Sequence, residues 1–191
     1  MAVEAGAHAL GFVFAPSVRQ VDPEMARGII SRLPPMVTRV GVFVDAAPAR
    51  VREVMVECHL DLVQLHGEES PEYCQELFPR AIKAFRVRDG TVLSQLPLYR
   101  LGAYLLDSYV AGVSGGTGRT FDWDIAVQAK RFGPIILSGG LNADNVRLAI
   151  EKVRPYGVDV SSGLEAVPRK KDPEKLRAFM RAVAEAEGVA A

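Results

Sequence analysis

Short apolar runs rich in β-branched residues alternate with amphipathic stretches along the whole chain. Such a run bounded by turn residues predicts a buried strand, and an apolar stripe at helical spacing predicts a helix. The predicted strands are Ala9 to Phe14, Arg39 to Val44, Leu62 to His66, Ile82 to Val87, Tyr104 to Asp107, Ile135 to Ser138 and Val158 to Ser161. The predicted helices lie near Pro23 to Leu33, Pro48 to His59, Ser70 to Phe78, Thr91 to Leu96, Asp124 to Arg131, Ala143 to Val153 and Asp172 to Ala186. Nearly all-apolar strands are typical of a parallel sheet covered by helices, so the class is predicted to be α/β.

Three of the predicted helices begin with a capping residue followed by proline. These pairs are Asp22-Pro23, Ser70-Pro71 and Asp172-Pro173. The side chain before the proline can accept a hydrogen bond from the first helical turn, and the fixed φ of proline suits that turn. We therefore expect the starts of these helices to be well defined.

The residues at the strand ends distinguish a (β/α) barrel from a doubly wound open sheet. Polar or glycine residues follow every predicted strand, at Pro16-Ser17, Asp45, His66, Arg86, Asp107, Gly139-Gly140 and Ser161-Ser162-Gly163. A barrel builds its site from all of these ends, whereas an open sheet concentrates it at one crevice. No G-x-G-x-x-G motif follows the first strand, which argues against dinucleotide binding. The pattern favours a barrel, formed by residues 1 to 191 as one domain.

The number of strands is seven, whereas a complete barrel of this class has eight. Residues Ala2 to Gly6 are typical of the tail of a helix that ends at a glycine. We therefore expect a TIM (β/α)8 barrel that lacks, in this chain, the first strand and most of the first helix.

Composition and charge narrow the class of partner. The 23 basic residues balance 23 acidic ones, so no footprint for nucleic acid or an anionic membrane surface is present. The longest apolar runs fall far short of the roughly 20 residues that a membrane-spanning helix needs. Residues 1 to 6 lack the features of a signal peptide, which indicates a cytoplasmic protein. Cys58 and Cys74 have no metal-site spacing and are expected to be structural thiols.

Two consecutive strand ends carry the features of a phosphate site. Gly139 and Gly140 follow one strand, and Ser161, Ser162 and Gly163 follow the next. Glycine lets backbone N–H groups approach a ligand closely, and a helix start adds partial positive charge. If one strand is missing at the front, these loops follow the seventh and eighth strands, the usual phosphate site of such barrels. A phosphorylated substrate is the inference; ordinary tight βα turns are the alternative.

Asp107 ends a strand and precedes a glycine-rich loop, Gly112 to Thr120. A carboxyl group at such a rim, beside apolar strand residues, suits a general acid, and a loop-bonding role is the alternative. The loop departs from a nucleotide-binding P-loop at Val113 and Arg119, so a lid over the site is the better interpretation.

Three further polar residues are candidates for substrate contacts. Arg19 has a planar fork that suits a carboxylate, although most loop arginines are simply solvated. His66 can bond a substrate or move a proton, and the alternative is a hydrogen-bonded rim histidine. Asp159 can orient a substrate amine or bond within the barrel.

Several motifs, taken in order, resemble the phosphoribosylanthranilate isomerase family from residue 1 to about residue 180. They are Gly11-Phe-Val-Phe, Val40-Gly-Val-Phe-Val, Gln64-Leu-His-Gly-Glu-Glu, Leu105-Leu-Asp, Gly115-Gly-Thr-Gly-Arg-Thr-Phe-Asp-Trp, Leu137-Ser-Gly-Gly-Leu, and Arg154-Pro-Tyr-Gly-Val-Asp-Val-Ser-Ser-Gly-Leu-Glu. Each motif alone is weak, but their order and spacing are specific.

The resemblance implies an Amadori rearrangement of N-(5-phosphoribosyl)anthranilate to 1-(2-carboxyphenylamino)-1-deoxyribulose 5-phosphate, in L-tryptophan biosynthesis, without a cofactor or metal. By motif match, Asp107 is the general acid and Arg19 contacts the anthranilate carboxylate. The resemblance assigns binding of the substrate phosphate to Gly139, Gly140, Ser161, Ser162 and Gly163.

One departure from the family is large. Its members open with a strand ending in Cys-Gly-Ile-Thr, whose cysteine is the general base, and residues 1 to 191 contain no such segment. Cys58 and Cys74 lie on predicted helices and cannot replace it. We therefore expect that Met1 is not the natural start and that the natural protein is longer by an upstream strand and helix.

Two kinds of alternative function remain open. One is another phosphosugar barrel of histidine or tryptophan biosynthesis. The histidine-pathway isomerase resembles two repeated half-barrels, which are not seen here, and indoleglycerol phosphate synthase uses a rim lysine, whereas Lys83 lies inside its strand. The other is a shortened barrel that binds phosphosugars without catalysis.

Overall fold

The structure of the protein is a computed structural model, which describes residues 1–108 and 120–188. The first seven strands pair in parallel, in the order in which they occur along the chain. They are β1 Ala9–Val13, β2 Thr38–Phe43, β3 Leu62–Leu65, β4 Ala81–Val87, β5 Tyr104–Ser108, β6 Ile135–Leu137 and β7 Gly157–Val158. The helices are α1 Pro23–Ile30, α2 Pro48–Glu57, α3 Pro71–Glu76, α4 Val92–Gln95, α5 Trp123–Ala129, α6 Val146–Val153 and α7 Pro173–Glu187. The predicted α/β class and the parallel strand order are confirmed.

The chain divides into two compact units. Unit A comprises Ala7–Ala84 and Tyr99–Gly102, and unit B comprises Met1–Gly6, Phe85–Leu98 and Ala103–Ala191. This division does not test the prediction of a single domain, which stays a prediction.

Unit A contains β1, β2, β3 and the first half of β4, with helices α1 to α3. Side chains from the strands and from the helices form its core. The most buried include Phe43, Val51, Val63 and Leu65, each at 2 % exposure or less. The rings of Phe14 and Phe43 stack with centroids 5.3 Å apart. Apolar side chains on the strands thus meet the apolar stripes of the helices, as the alternating sequence pattern predicts.

Unit B contains the end of β4 and strands β5 to β7. Strand β5 pairs with β6, from Tyr104 opposite Ile135 to Leu106 opposite Leu137. Helices α6 and α7 add Val146 and Phe179 to the buried residues of this unit. The backbone leads from the buried strands directly into the loops that carry the candidate site residues.

The three predicted caps are present. Asp22 Oδ1 accepts from the N–H of Met25 at 2.7 Å, and Ser70 Oγ accepts from the N–H of Tyr73 at 3.2 Å. Asp172 Oδ1 accepts from the N–H of Glu174 at 2.8 Å. In each case proline takes the first helical position. The cap and the proline together fix where these helices begin.

Most predicted boundaries differ from the observed ones by one or two residues, and three differ by three residues: the end of α1, which is Ile30 rather than Leu33, the end of β7 and the start of α6. Strand β7 is Gly157–Val158, not Val158 to Ser161, because its partner β6 ends at Leu137. Helix α6 begins at Val146, not Ala143. The preceding residues form a side-chain-bonded turn instead, in which Asn142 Oδ1 accepts from the N–H of Asp144 at 2.9 Å. Such Asx bonds compete with helix formation.

Unit B also contains a short hairpin that the sequence did not predict. Strands β8, Glu165–Val167, and β9, Lys170–Lys171, pair antiparallel before α7. At the other end of the chain, residues 2 to 6, predicted to be the tail of a helix, form a turn in which the N–H of Ala5 donates to the carbonyl of Met1 at 3.0 Å and Gly6 has φ +102°. Within the described ranges no helix is long and apolar enough to cross a bilayer.

Candidate active site

Asp107 lies near the end of β5 and is 8 % exposed. The preceding residues, Leu105 and Leu106, are among the most buried in the protein. The carbonyl of Leu106 accepts from the N–H of Ser138 at 2.8 Å, which brings the end of β6 beside this part of β5. A nearly buried carboxyl group is therefore held at the carboxyl end of a parallel strand, the end at which (β/α) barrels build their sites.

The loop after β6 is built from two glycines in left-handed conformations. Gly139 has φ +86° and Gly140 has φ +66°. A Cβ atom on Gly139 would lie only 2.6 Å from Ser108 Oγ and closer still to the Ser108 backbone nitrogen. Asn145 Nδ2 donates to the carbonyl of Gly140 at 3.0 Å, which fixes the turn from the other side. Position 139 therefore requires glycine for two reasons: its backbone is left-handed, and a side chain would collide with Ser108, the residue after Asp107.

The loop after β7 packs directly against the loop after β6. Ser162–Leu164 form a single 3₁₀ turn, and Ser161 precedes it with φ −123°. A Cβ atom on Gly163 would overlap the backbone oxygen of Leu141. The two candidate phosphate loops are therefore in contact, and both belong to unit B together with Asp107.

The contact at Gly163 makes a testable prediction. Gly163→Ala is expected to lower the free energy of unfolding by about 1–3 kcal/mol, because a backbone oxygen cannot yield as a flexible side chain can. Urea denaturation measures this difference. Gly157→Ala is the matched control, since a Cβ atom there meets nothing within 4 Å. Equal stabilities of the two variants would contradict the close approach of the two loops.

Asp159 is held by a partner that the sequence reasoning missed. Ser138 Oγ donates to Asp159 Oδ2 at 2.9 Å, and the N–H of Asp159 donates to the carbonyl of Leu137 at 2.8 Å. Ser138 is buried at 7 % exposure. The only sequence signal for Ser138 was its place at a strand end in the Leu-Ser-Gly-Gly motif. The hydroxyl restricts the rotation of the Asp159 carboxylate, which suits the role of orienting a ligand.

Arg19 and His66 belong to unit A. Arg19 is half-buried on the loop after β1, where its N–H donates to Ser17 Oγ at 3.0 Å. The N–H of His66 donates to the carbonyl of Phe43 at 2.8 Å, and Gln64 Nε2 lies 3.1 Å from His66 Nδ1.

A buried ion pair in unit A ties down the loop that follows His66. Lys83 Nζ lies 3.0 Å from Glu69 Oε2, and the two side chains are 4 % and 1 % exposed. Lys83 also donates to the carbonyl of Gly67 at 2.6 Å. Glu69 accepts from the N–H of Gly67 at 2.9 Å and from the N–H of Asp45 at 3.0 Å. The pair thereby connects the loops after β2 and β3 to β4. The sequence predicted Lys83 inside its strand but gave no sign of this partner.

The two cysteines lie in or next to helices, and their structural role stays a prediction. Cys58 follows α2 and Cys74 lies in α3, and each is almost fully buried. Burial raises the pKa of the Cys58 thiol and raises the pKa of Cys74 to about 11. A thiol that resists ionisation is a poor nucleophile and a poor base near neutral pH. The predicted lid at Gly112 to Thr120 lies outside the described residues, apart from Thr120.

Parallel strands in sequential order, with glycine and polar residues at their carboxyl ends, define the protein as a (β/α)-barrel enzyme. Solved structures confirm this class. Phosphoribosyl anthranilate isomerase from Thermotoga maritima is 44% identical, with a TM-score of 0.89 and coverage of 98% of this chain and 92% of that one. The isomerase from Thermus thermophilus is 38% identical, with a TM-score of 0.87 over 96% and 91%.

Sequence comparisons identify the family. A family model for N-(5'-phosphoribosyl)anthranilate isomerase matches residues 1–182. The isomerase of Geobacter metallireducens is 57% identical over 95% of this chain and 90% of its own length. That of Geobacter sulfurreducens is 56% identical with the same coverage. The chain belongs to the N-(5'-phosphoribosyl)anthranilate isomerase family, which confirms the resemblance inferred from its motifs.

Proposed function

We propose that this protein converts N-(5-phosphoribosyl)anthranilate to 1-(2-carboxyphenylamino)-1-deoxyribulose 5-phosphate, an Amadori rearrangement of L-tryptophan biosynthesis. The observation that carries the proposal is the grouping of Asp107 with two interlocked glycine loops in unit B. Family membership supports it, and one solved member, 42% identical with a TM-score of 0.86, is described in complex with reduced 1-(o-carboxyphenylamino)-1-deoxyribulose 5-phosphate.

The reaction moves two hydrogens and forms no bond to the enzyme. Asp107 protonates the ribose ring oxygen as the C1–O bond breaks, which opens the sugar to an imine. Loss of the C2 proton to a base, a role for which residues 1–191 contain no match to the family's cysteine, gives an enolamine. The enolamine becomes the ketone as C1 gains a proton and the C2 hydroxyl group loses one. Asp107 suits the acid role because it is sheltered at the end of β5 beside Ser108, which contacts the glycine loop.

The phosphate is proposed to bind the backbone N–H groups of Gly139, Gly140, Ser161, Ser162 and Gly163. Positive φ at both glycines and the absence of side chains leave the backbone open to close approach by an anion. The start of the 3₁₀ turn at Ser162 adds N–H groups without helical partners. Each loop therefore has a feature that suits an anion, and the two loops are in contact. For this reason we propose one phosphate site rather than two unrelated tight turns.

The remaining contacts concern the anthranilate half of the substrate. Asp159, oriented by Ser138, is proposed to accept from the substrate amine. Arg19 is proposed to bind the carboxylate, on the motif match to the family, and His66 is proposed to hydrogen-bond the substrate. No cofactor or metal takes part in this scheme. The partner is a small phosphorylated molecule, and the cytoplasm is the proposed location.

The proposed function is tested by binding and turnover measured separately. We expect residues 1–191 to bind the reduced product analogue in calorimetry. Turnover is measured by rescue of a tryptophan auxotroph that lacks this isomerase, with residues 1–191 and with the same gene extended to the next upstream in-frame start. Binding without rescue by either form would contradict the catalytic proposal and favour a non-catalytic phosphosugar-binding protein, whereas rescue by residues 1–191 would mean that the family's cysteine is not the base. Absence of binding by folded protein would overturn the proposed substrate site itself.

A further inference from the structure

The β8–β9 hairpin places a lysine behind the proposed phosphate loop. Lys171 Nζ donates to the backbone carbonyl of Ser161 at 2.7 Å. The same carbonyl accepts from the N–H of Leu164 at 3.3 Å, which closes the 3₁₀ turn. A hydrogen bond from an ammonium group is about twice as strong as one between neutral groups. The Ser161 carbonyl is therefore held in one direction.

The direction of that carbonyl also sets the direction of a donor. In a trans peptide the carbonyl of one residue and the N–H of the next point to opposite sides. Lys171 on the Ser161 carbonyl consequently turns the Ser162 N–H away from the hairpin. Polarisation of the peptide by the ammonium group strengthens that N–H as a donor. Ser162 is one of the residues proposed above to bind the phosphate.

A buried carboxylate holds Lys171 in this position. Glu165 Oε1 lies 3.5 Å from Lys171 Nζ, and the two side chains are 6 % and 34 % exposed. Glu165 is fixed in turn, because its N–H donates to the Ser162 carbonyl and its own carbonyl accepts from Lys175 Nζ at 2.9 Å. The N–H of Arg169 lies 3.4 Å from Glu165 Oε1. The hairpin thus donates hydrogen bonds to the carbonyls of both peptides that flank Ser162, from Lys171 to Ser161 and from Glu165 to Ser162.

We propose that Lys171, held by Glu165, is a positioning residue for phosphate binding, which acts by aiming the Ser162 N–H at the anion. This inference rests on the proposed function, since it deepens the phosphate site described there. The alternative is simple attraction between the ammonium group and the phosphate. The carboxylate of Glu165 offsets the charge of Lys171. The geometry therefore favours orientation of the Ser162 N–H over electrostatic attraction as the effect of Lys171.

The experiment compares ligands that differ only in the phosphate. Calorimetry gives Kd for the reduced product analogue and for its dephosphorylated form, with wild type, Lys171→Met and Lys171→Arg. We expect Lys171→Met to raise Kd roughly 10-fold for the phosphorylated ligand and less than about 2-fold for the other. Lys171→Arg restores a cationic donor and is expected to recover most of the affinity. Lys170→Met, on the exposed neighbour in β9, is the matched control.

Glu165→Gln separates the two explanations and stays informative if Lys171→Met fails to fold. Removal of this carboxylate adds one net positive charge, so simple attraction requires tighter phosphate binding. Positioning requires weaker binding, because Lys171 loses its partner. Unchanged affinity in Lys171→Met, equal losses for both ligands, or tighter binding by Glu165→Gln would each overturn the inference. If the wild-type protein binds the phosphorylated and dephosphorylated ligands with the same Kd, the proposed phosphate site is overturned, and the inference with it.

Discussion

Asp107→Asn is expected to lower kcat for the isomerisation by roughly 10² to 10⁴, the usual range for loss of a general acid. The amide fills the same volume at the end of β5 but cannot deliver a proton to the ring oxygen. The open-chain reduced analogue has no ring left to open, so its Kd should change by no more than about 3-fold. Steady-state rates and calorimetry on the same preparations measure the two quantities.

The contrast between rate and affinity is what identifies an acid. Asp144→Asn is the control, since Asp144 is exposed in the turn before α6 and no catalytic role is proposed for it. An Asp107→Asn variant with kcat near that of the wild type would show that another group protonates the ring oxygen. A parallel loss of affinity for the analogue would make Asp107 a binding residue.

Local chemistry was the part of the fold that the sequence could predict. The caps at Asp22, Ser70 and Asp172 act on backbone groups two or three residues away, so the motif and its effect lie within one short segment. The glycine turn after β6 was predictable for a similar reason. Glycine at 139 is needed because of the left-handed conformation of its own backbone, which a glycine after an apolar strand indicates.

Contacts between distant residues could not be predicted in this way. Ser138 and Asp159 are 21 positions apart, and Lys83 and Glu69 are 14 apart. Neither pair has a periodic pattern, because one polar residue on a strand gives no indication of the loop that will cover it. Strand β7 is shorter than predicted for the same reason, since its length is set by pairing with β6 rather than by its own residues. The roles of the site residues stay predictions that mutation has to test.

Lys83→Met is expected to lower the free energy of unfolding by about 3–5 kcal/mol, the usual cost of leaving one partner of a buried ion pair without the other. Glu69 is 1 % exposed, so water cannot replace the lost ammonium group. Urea denaturation gives the size of the effect. Hydrogen exchange at the N–H groups of Gly67 and Asp45 should locate it, because both donate to Glu69.

Arg52→Met is the control in the same unit, because the Arg52–Glu76 pair is about half exposed and its loss should cost at most about 1 kcal/mol. The double variant Lys83→Met with Glu69→Gln should be more stable than Lys83→Met alone, since a neutral amide still accepts from the two N–H groups without leaving a buried charge. If Lys83→Met costs no more than Arg52→Met, the pair does not hold the loops after β2 and β3. If the cost is large but Gly67 keeps its protection, the pair stabilises the fold without fixing the backbone next to His66.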